Sequence, residues 1–210
     1  MATDELRADM RIIADGSGQS SVYTWLFTHR AGDPPLNEDT IRLVNGDAIS
    51  VTSSAHTISM QESLFIEYRY DATFDTAAPG QRYEIALARS ADTSAPHSTV
   101  TLPEPFTPTL PAAFSRSAPL TITWSPSGSQ DPVSVHFIGC SDVTLQQLAD
   151  TGTVTLPAGA FTTTGAPMNP TCDLAVEVSR SRLGTLDPAF GQGGSITALQ
   201  QRMATITSMP

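Results

Sequence analysis

The sequence predicts an all-β protein built from two tandem antiparallel β-sandwich domains. Three observations lead to that class. Apolar and polar residues alternate with a period of two in several short segments, turn residues separate these segments, and a proline-rich stretch divides the 210 residues into halves of similar length. Each half is long enough for one sandwich core.

The first half shows the alternation most clearly from Leu64 to Phe74. This pattern predicts a half-buried antiparallel strand over the whole segment. Turn residues at 77–80 and a second alternating run from Tyr83 to Leu87 follow, so we expect the two runs to pair as a hairpin. A second hairpin is expected around Asn45-Gly46, because Asn-Gly between apolar alternations favours the turn that joins paired strands.

An aromatic segment precedes these runs, with Tyr23, Trp25 and Phe27 at alternate positions before His29. We expect Trp25 to pack in a core, and a sugar-stacking platform is the alternative. About six strands at this spacing are typical of an immunoglobulin-like sandwich rather than of parallel βαβ units.

Six prolines lie between Ser94 and Pro119. Proline cannot donate to a sheet ladder, so this stretch predicts no central strand. It predicts a semi-rigid extended connector that includes the edge strand entering the second domain. The boundary then separates an N-terminal sandwich, residues 1–102, from a C-terminal sandwich, residues 103–210.

The second half contains further short alternating runs. We expect strands at Leu120–Ser125, Val133–Phe137, Val154–Leu156, Leu174–Val178 and Gln200–Ser208. Trp124 lies in the first of these runs at a position expected to be core, with a sugar-stacking role again the alternative.

The charge balance excludes one large class of partners. The net charge is −10, and all 11 basic residues are arginine. A nucleic-acid-binding protein needs a basic face to neutralise phosphates, so nucleic acid is not an expected partner. The absence of lysine is typical of a GC-rich genome or of arginine chosen for bidentate contacts with carboxylates.

No apolar run approaches the ~20 residues that would span a bilayer. The segment Met1 to Glu5 is polar and acidic, so no export signal is visible. This composition fits either a cytoplasmic protein or a chain from which an export signal has been removed.

Residues 120–128 read Leu-Thr-Ile-Thr-Trp-Ser-Pro-Ser-Gly. This stretch resembles the opening of sandwich domains in fibronectin type III modules and in Ser/Thr-rich fungal cell-wall proteins. The wider second half resembles a group of uncharacterised exported bacterial proteins, many of them lipoproteins. The matching residues are the Trp124 motif, Cys140, Cys172, Arg180 and the segment from Asp187-Pro188-Ala189-Phe190-Gly191 to Arg202. The resemblance covers residues 103–210 well and the first half loosely. It implies tandem immunoglobulin or fibronectin III-like sandwiches outside the cytoplasm.

Cys140 and Cys172 are the only cysteines. In a sandwich that resembles exported proteins, an even cysteine count favours a disulfide between them. Two free thiols are the alternative. A metal site would need more ligands than these two, so none is predicted.

The sequence contains no recognisable catalytic motif, P-loop or dinucleotide fingerprint. The four histidines, His29, His56, His97 and His136, are not spaced as metal ligands. Acidic residues cluster in predicted turns at Asp15, 37–39, Asp47, Asp71 and Asp75, where turn chemistry is favoured over calcium binding. We therefore predict no catalytic residues, no metal and no cofactor, and not an enzyme.

The leading interpretation is a non-catalytic extracytoplasmic protein of the cell envelope with a structural or adhesive role. It could act in the periplasm, at the outer membrane surface or as a secreted protein, with a lipid anchor on an uncut precursor. The expected partner is a protein or a glycan at the cell surface. A carbohydrate- or ligand-binding module is the first alternative, motivated by the aromatic residues of the first half. A hydrolase whose triad assembles across loops is the weaker alternative.

Overall fold

The computed structural model describes residues 1–28, 39–141, 143–161 and 171–210. Strands dominate this part of the chain, and its one helical turn is the 3-10 segment Thr3–Glu5. The all-β class is therefore confirmed. Over the same residues, the structure contains no helix with the length and apolar character needed to cross a membrane.

Nine strands lie among the described residues of the first half of the chain. They are β1 (Leu6–Ala14), β2 (Ser20–Thr28), β3 (Asp39–Thr40), β4 (Ala48–Ser53), β5 (His56–Ser59), β6 (Gln61–Glu62), β7 (Arg69–Phe74), β8 (Arg82–Ala88) and β9 (Ala95–Thr101). Eight more lie among the described residues of the second half. They are β10 (Thr107–Thr109), β11 (Ala113–Ser115), β12 (Leu120–Ser125), β13 (Val133–Gly139), β14 (Val143–Leu148), β15 (Thr153–Leu156), β16 (Cys172–Leu183) and β17 (Gly194–Met209).

The chain divides into two compact units. The first comprises Met1–Leu102 with Arg182–Leu199, and the second comprises Pro103–Ser181 with Gln200–Pro210. The predicted division into residues 1–102 and 103–210 treats the second half as one continuous domain, whereas residues 182–199 belong to the first unit. Phe190, Ile196 and Ala198 are buried in the core of that unit.

The first unit is a sandwich of two sheets. One sheet has the order β17-β1-β2-β7-β6, with β3 on β2, and the other has the order β5-β4-β8-β9. Alternate residues of each sheet point into a shared core. Leu6, Ala8, Met10, Ile12, Val22, Leu26, Ala72 and Phe74 come from the first sheet, and Ile49, Val51, Tyr83, Ile85 and Leu87 come from the second. Phe74 and Tyr83 meet edge to face between the sheets, with ring centroids 5.5 Å apart.

The second unit also has two sheets. Strands β10, β12 and β15 form one, and the order β14-β13-β16-β17 forms the other, with β11 parallel to β17. The core between them holds Phe106, Phe114, Leu120, Ile122, Trp124, Val133, Val135, Phe137, Leu174, Val176, Val178 and Ile206.

The strand predicted over Leu64–Phe74 begins only at Arg69, so that prediction is wrong for its first five residues. Residues 63–68 form a turn that is closed by a hydrogen bond from the Ser63 N–H to the Arg69 carbonyl at 2.7 Å. Tyr68 has a left-handed φ of 60° within it. Leu64 and Phe65 are 94% and 93% exposed as a result.

Both predicted hairpins are also wrong. Strand β7 pairs with β2 and β6, while β8 pairs with β4 and β9, so the turn at 77–80 carries the chain from one sheet to the other. Asn45-Gly46 does form a turn, but the strand that follows it, β4, pairs with β5 and β8 and not with the segment before the turn. The tight turn of the hairpin formed by β4 and β5 is at Ser54-Ala55, whose φ angles are 49° and 64°. Ser-Ala carries none of the Asn or Gly preference by which such turns are recognised in sequence.

The proline-rich stretch is not one extended connector, because it contains β9, β10 and β11. Strand β9 is an edge of the four-stranded sheet in the first unit. Pro96 is tolerated there, since an edge strand leaves one row of N–H groups without a partner strand.

Candidate functional site

Cys140 and Cys172 form a disulfide, with their Cα atoms 6.3 Å apart. Cys140 directly follows β13 and Cys172 opens β16, and these strands are antiparallel neighbours in which Gly139 lies opposite Leu174. The bond links the end of β13 to the start of β16, two strands that are already paired in the sheet. It therefore acts as a structural cross-link of the second unit.

Replacing both Cys140 and Cys172 with serine should lower the free energy of unfolding of the second unit by about 3–4 kcal/mol. The reason is that the unfolded chain regains the freedom of a loop spanning 32 positions. Urea denaturation of the oxidised, reduced and double-serine forms measures this loss, and the first unit should be unaffected. Two free thiols found by mass spectrometry of the non-reduced protein would contradict the bond.

The three described histidines have separate local partners. The His56 ring meets the Phe74 ring edge to face at 5.9 Å. His97 Nδ1 lies 3.3 Å from the Glu84 carboxylate on an exposed surface, and His136 lies opposite Glu177 in the β13–β16 pair. His29 lies outside the described residues, as do positions 37 and 38 of one acidic turn.

The acidic turn residues bind groups of the protein itself. Asp15 accepts the Ser17 N–H at 2.9 Å, and Asp75 accepts the Gln19 amide at 3.0 Å. In the described ranges, no three His, Cys, Asp or Glu side chains are placed to share a metal ion. Local hydrogen bonds account for the positions of Asp15 and Asp75, whereas Asp71, which was predicted in a turn, lies within β7.

A cleft of about 770 Å³ in the first unit contains an ion pair. Arg89 Nε lies 2.8 Å from Asp47, and the remaining Arg89 nitrogens donate to Thr3 and Met1. The Ser90 backbone N–H lowers the pKa of Asp47, and the Ser90 hydroxyl and Arg89 contribute to the shift. These groups attach the N-terminal segment to the sandwich, and their hydrogen-bonding atoms are occupied by these contacts.

Trp124 is buried in the second core, which confirms its predicted position. Its Nε1 donates to Asp150 Oδ1 at 2.5 Å. The other carboxylate oxygen accepts the Ser129 N–H at 2.9 Å and the Ser129 hydroxyl at 2.6 Å. Arg180 completes the group at 2.9 Å from Asp150, and the side chains of this ion pair are 1% and 0% exposed.

Arg180 is also held by backbone carbonyls and an aromatic ring. It donates to the Glu104 carbonyl at 2.8 Å and to the Pro126 carbonyl at 2.7 Å. Its guanidinium carbon lies 5.0 Å from the Phe106 ring centroid. Only its Nε is buried without an acceptor among the described residues. Arg180 is therefore a structural residue at the centre of the second unit.

Opposing effects act on the pKa of Asp150. Burial alone would raise it, but hydrogen bonds from Ser129 and Trp124, together with the charge of Arg180, outweigh burial and hold the pKa below its ordinary range. The carboxylate is thus kept charged inside the core. With its acceptor positions occupied, it serves as a structural anion.

Trp25 does not lie in a core, so its predicted packing is wrong. Val22, Thr24 and Leu26 of β2 point inward, and the side chains of Tyr23, Trp25 and Phe27 point outward and are partly exposed. The sequence misleads here because a polar residue, Thr24, occupies an inward position, where its hydroxyl contacts Met60 Sδ at 3.8 Å. Alternation alone cannot show which of two mixed faces is buried.

The outward face around these rings is rich in arginine. Arg7, Asp9 and Arg11 of β1 lie opposite Phe27, Trp25 and Tyr23, and Arg69 and Asp71 of β7 lie opposite Trp25 and Tyr23. We call these eight residues the arginine–aromatic face. Its β1 residues alternate with buried Ala8, Met10 and Ile12, and this alternation was the sequence signal that could have revealed the face.

Cations cover part of each ring on this face. The Arg7 guanidinium lies 4.9 Å from the Phe27 centroid, and that of Arg69 lies 4.6 Å from Tyr23 and 5.8 Å from Trp25. Both arginines are held in place by ion pairs, Arg7 with Asp9 and Arg69 with Asp71, the latter at 2.6 and 2.7 Å. The Asp71 hydrogen bonds raise the pKa of Arg69. These contacts fix the orientation of the aromatic rings.

The arginine–aromatic face is the candidate functional site, since its polar and aromatic groups point away from any core. A row of partly exposed rings with neighbouring guanidiniums and carboxylates can stack on a ligand and hydrogen-bond to it.

No protein-family model matches this chain, and no curated protein matches it either.

Proposed function

We propose that this protein is a non-catalytic binding protein of the cell envelope, with an adhesive role exerted through its arginine–aromatic face, and that its ligand is a glycan. The observation that carries the proposal is the row formed by Tyr23, Trp25 and Phe27 on the outward side of β2. Aromatic rings stack on the C–H faces of sugar rings, and charged side chains beside them bind the hydroxyls. Both kinds of group are present on this face.

The shape of the face favours an extended ligand. Alternate residues of a strand are about 6.6 Å apart, so the row from Tyr23 to Phe27 spans about 13 Å. The ring centroids of Tyr23 and Trp25 are 6.3 Å apart. A linear oligosaccharide can lie along such a row and contact several rings at once, and this supports a glycan chain as the ligand.

The contacts between the arginines and the rings also favour binding. Arg7 and Arg69 are fixed by carboxylates and in turn restrain the aromatic side chains. A surface whose rotamers are already ordered loses less entropy when a ligand binds. The ion pairs thus help to order the binding surface in advance.

Location outside the cytoplasm is part of the proposal. The disulfide between Cys140 and Cys172 supports it, because such bonds persist in oxidising compartments. The two units, each a pair of packed sheets whose strands are mainly antiparallel, support tandem immunoglobulin-like domains of the kind implied by the resemblance to exported bacterial proteins.

The proposal also holds that the protein acts by binding and does not catalyse a reaction. Both thiols are joined to each other, the carboxylate of Asp150 is engaged by three side chains, and the chain has no lysine. A screen against esters, glycosides and peptides tests this part. Turnover that disappears on one serine or histidine substitution would overturn it.

Replacing Trp25 with alanine should weaken glycan binding by at least about tenfold, because the central ring of the row is lost. A glycan array identifies ligands of the unaltered protein, and calorimetry then compares the affinities of the two forms. Trp25 is partly exposed, so the variant should fold normally.

Phe65→Ala is the matched control, since it removes an aromatic side chain that is 93% exposed and lies outside the face. It should leave binding unchanged. Binding that resists Trp25→Ala, or that is lost equally with Phe65→Ala, would place the ligand elsewhere.

A further inference from the structure

We propose that the glycan bound by the arginine–aromatic face carries carboxylate groups and that Arg11 binds one of them. This inference rests on the proposed function and goes beyond it by naming the chemical class of the ligand. The juxtaposition that carries it is an exposed arginine beside a row of aromatic rings, on a face where the other two arginines are ion-paired.

Arg11 differs from its two counterparts on the face. Arg7 and Arg69 are paired with Asp9 and Asp71. Arg11 is exposed, and among the described residues it has neither a hydrogen-bond nor an ion-pair partner for its side chain. Its guanidinium therefore keeps all five N–H donors for a ligand.

The position of Arg11 suits a ligand that lies along the aromatic row. It is opposite Tyr23 in the β1–β2 register, and Tyr23 is in turn opposite Asp71. A sugar stacked near Tyr23 would thus have Arg11 on the β1 side. A carboxylate attached to that sugar can accept two parallel N–H bonds from the planar guanidinium.

The charge of the face supports an anionic ligand. Its three arginines and two aspartates leave one positive charge, on a chain whose net charge is −10. The rest of the surface repels a polyanion, so attraction is confined to places where a cation is unpaired.

A glycan fits better than an acidic peptide because the anion-binding group lies beside a row of rings. The rings bind flat C–H surfaces, and a uronic acid joins such a surface to a carboxylate in one unit. A peptide of glutamates offers carboxylates on flexible stems, which cost more entropy to order.

Calorimetry with a linear oligouronate and with its fully methyl-esterified form tests the inference. The two probes share a backbone, and esterification removes the charge of each carboxylate and adds a methyl group. The protein should bind the charged form about tenfold more tightly or better, as expected for a charge-assisted bidentate pair. High salt should weaken binding of the charged form more than binding of the ester.

Arg11→Gln should abolish the preference for the charged probe, because it should weaken binding of the charged probe far more than binding of the ester. Arg82→Gln is the matched control, because Arg82 is an exposed arginine on β8, in the other sheet. It removes the same charge and should preserve the preference. Thermal melting of both variants should match that of the unaltered protein, since neither side chain is buried.

The outcomes separate this inference from the proposed function. Equal binding of both probes, with both lost in Trp25→Ala, overturns the carboxylate inference and leaves the glycan proposal standing. The same follows if neither probe binds while a neutral glycan binds with dependence on Trp25. Binding of an oligoglutamate through Arg11, without binding of the oligouronate, overturns the glycan as the source of the carboxylate.

Discussion

Replacing Asp150 with alanine should lower the free energy of unfolding of the second unit by about 3–5 kcal/mol, the cost of removing one partner of a buried ion pair. Arg180, whose side chain is 1% exposed, would keep a buried charge without its anion. The donors of Trp124 and Ser129 would lose their acceptor as well. Urea denaturation followed by Trp124 fluorescence, in a Trp25→Phe background, measures the loss in this unit alone.

Asp71→Ala is the matched control, because it removes the carboxylate of a more exposed ion pair with Arg69. Its cost should stay below about 1 kcal/mol, and circular dichroism measures it, because Asp71 lies in the first unit. The double change Asp150→Leu with Arg180→Met should recover much of the stability, since well-packed apolar side chains can replace a buried pair. A loss below about 1 kcal/mol for Asp150→Ala would contradict the burial of this network.

The same carboxylate should make the second unit sensitive to acid. The folded state holds the pKa of Asp150 below its ordinary range, so the unfolded chain takes up the proton first as the pH falls. Stability from this residue is therefore complete above about pH 4 and is lost progressively at lower pH. Denaturation curves recorded over this range should show a steeper loss for the unaltered protein than for the double apolar variant.

Replacing Trp124 with alanine should cost about 3–5 kcal/mol, through the cavity left in the second core. Trp124→Phe should cost less, because it keeps one aromatic ring in the core, although it removes the rest of the indole with the N–H that donates to Asp150. Circular dichroism during urea denaturation measures both variants without relying on tryptophan emission.

Trp25→Ala is the control within the same chain, since it makes the same substitution on a partly exposed face. It should cost much less than Trp124→Ala. If the two substitutions cost the same, or if Trp124→Ala costs less than about 1 kcal/mol, then the different burial of the two tryptophans is contradicted.

The two tryptophans show how far sequence reasoning reaches. Both lie in alternating runs, and the same argument predicted core packing for each. Trp124 is in the core, but Trp25 is not, because the inward face of β2 includes Thr24. The run that contains Trp124 has threonines only on its outward face, so its apolar side was unambiguous.

The residues that neighbour the rings of the candidate site could not be predicted from the sequence, for a related reason. Arg69 and Asp71 come from β7, more than forty positions after Tyr23, and reach its neighbourhood only because β7 pairs with β2. Asp150 and Arg180 likewise meet through packing, although Arg180 was among the residues of the resemblance. Pairing between distant strands leaves no mark on the local pattern of either strand.

Period-two alternation was enough to predict the all-β class, most strand positions and the burial of Trp124, because it is a local property of the chain. The pairing of the strands, the inward face of β2 and the packing of residues 182–199 depend on tertiary contacts. The run from Tyr83 to Leu87 alternates in the same way whether it pairs with β7 or faces it across the core. Its assignment to the opposite sheet therefore depends on long-range contacts that alternation does not record.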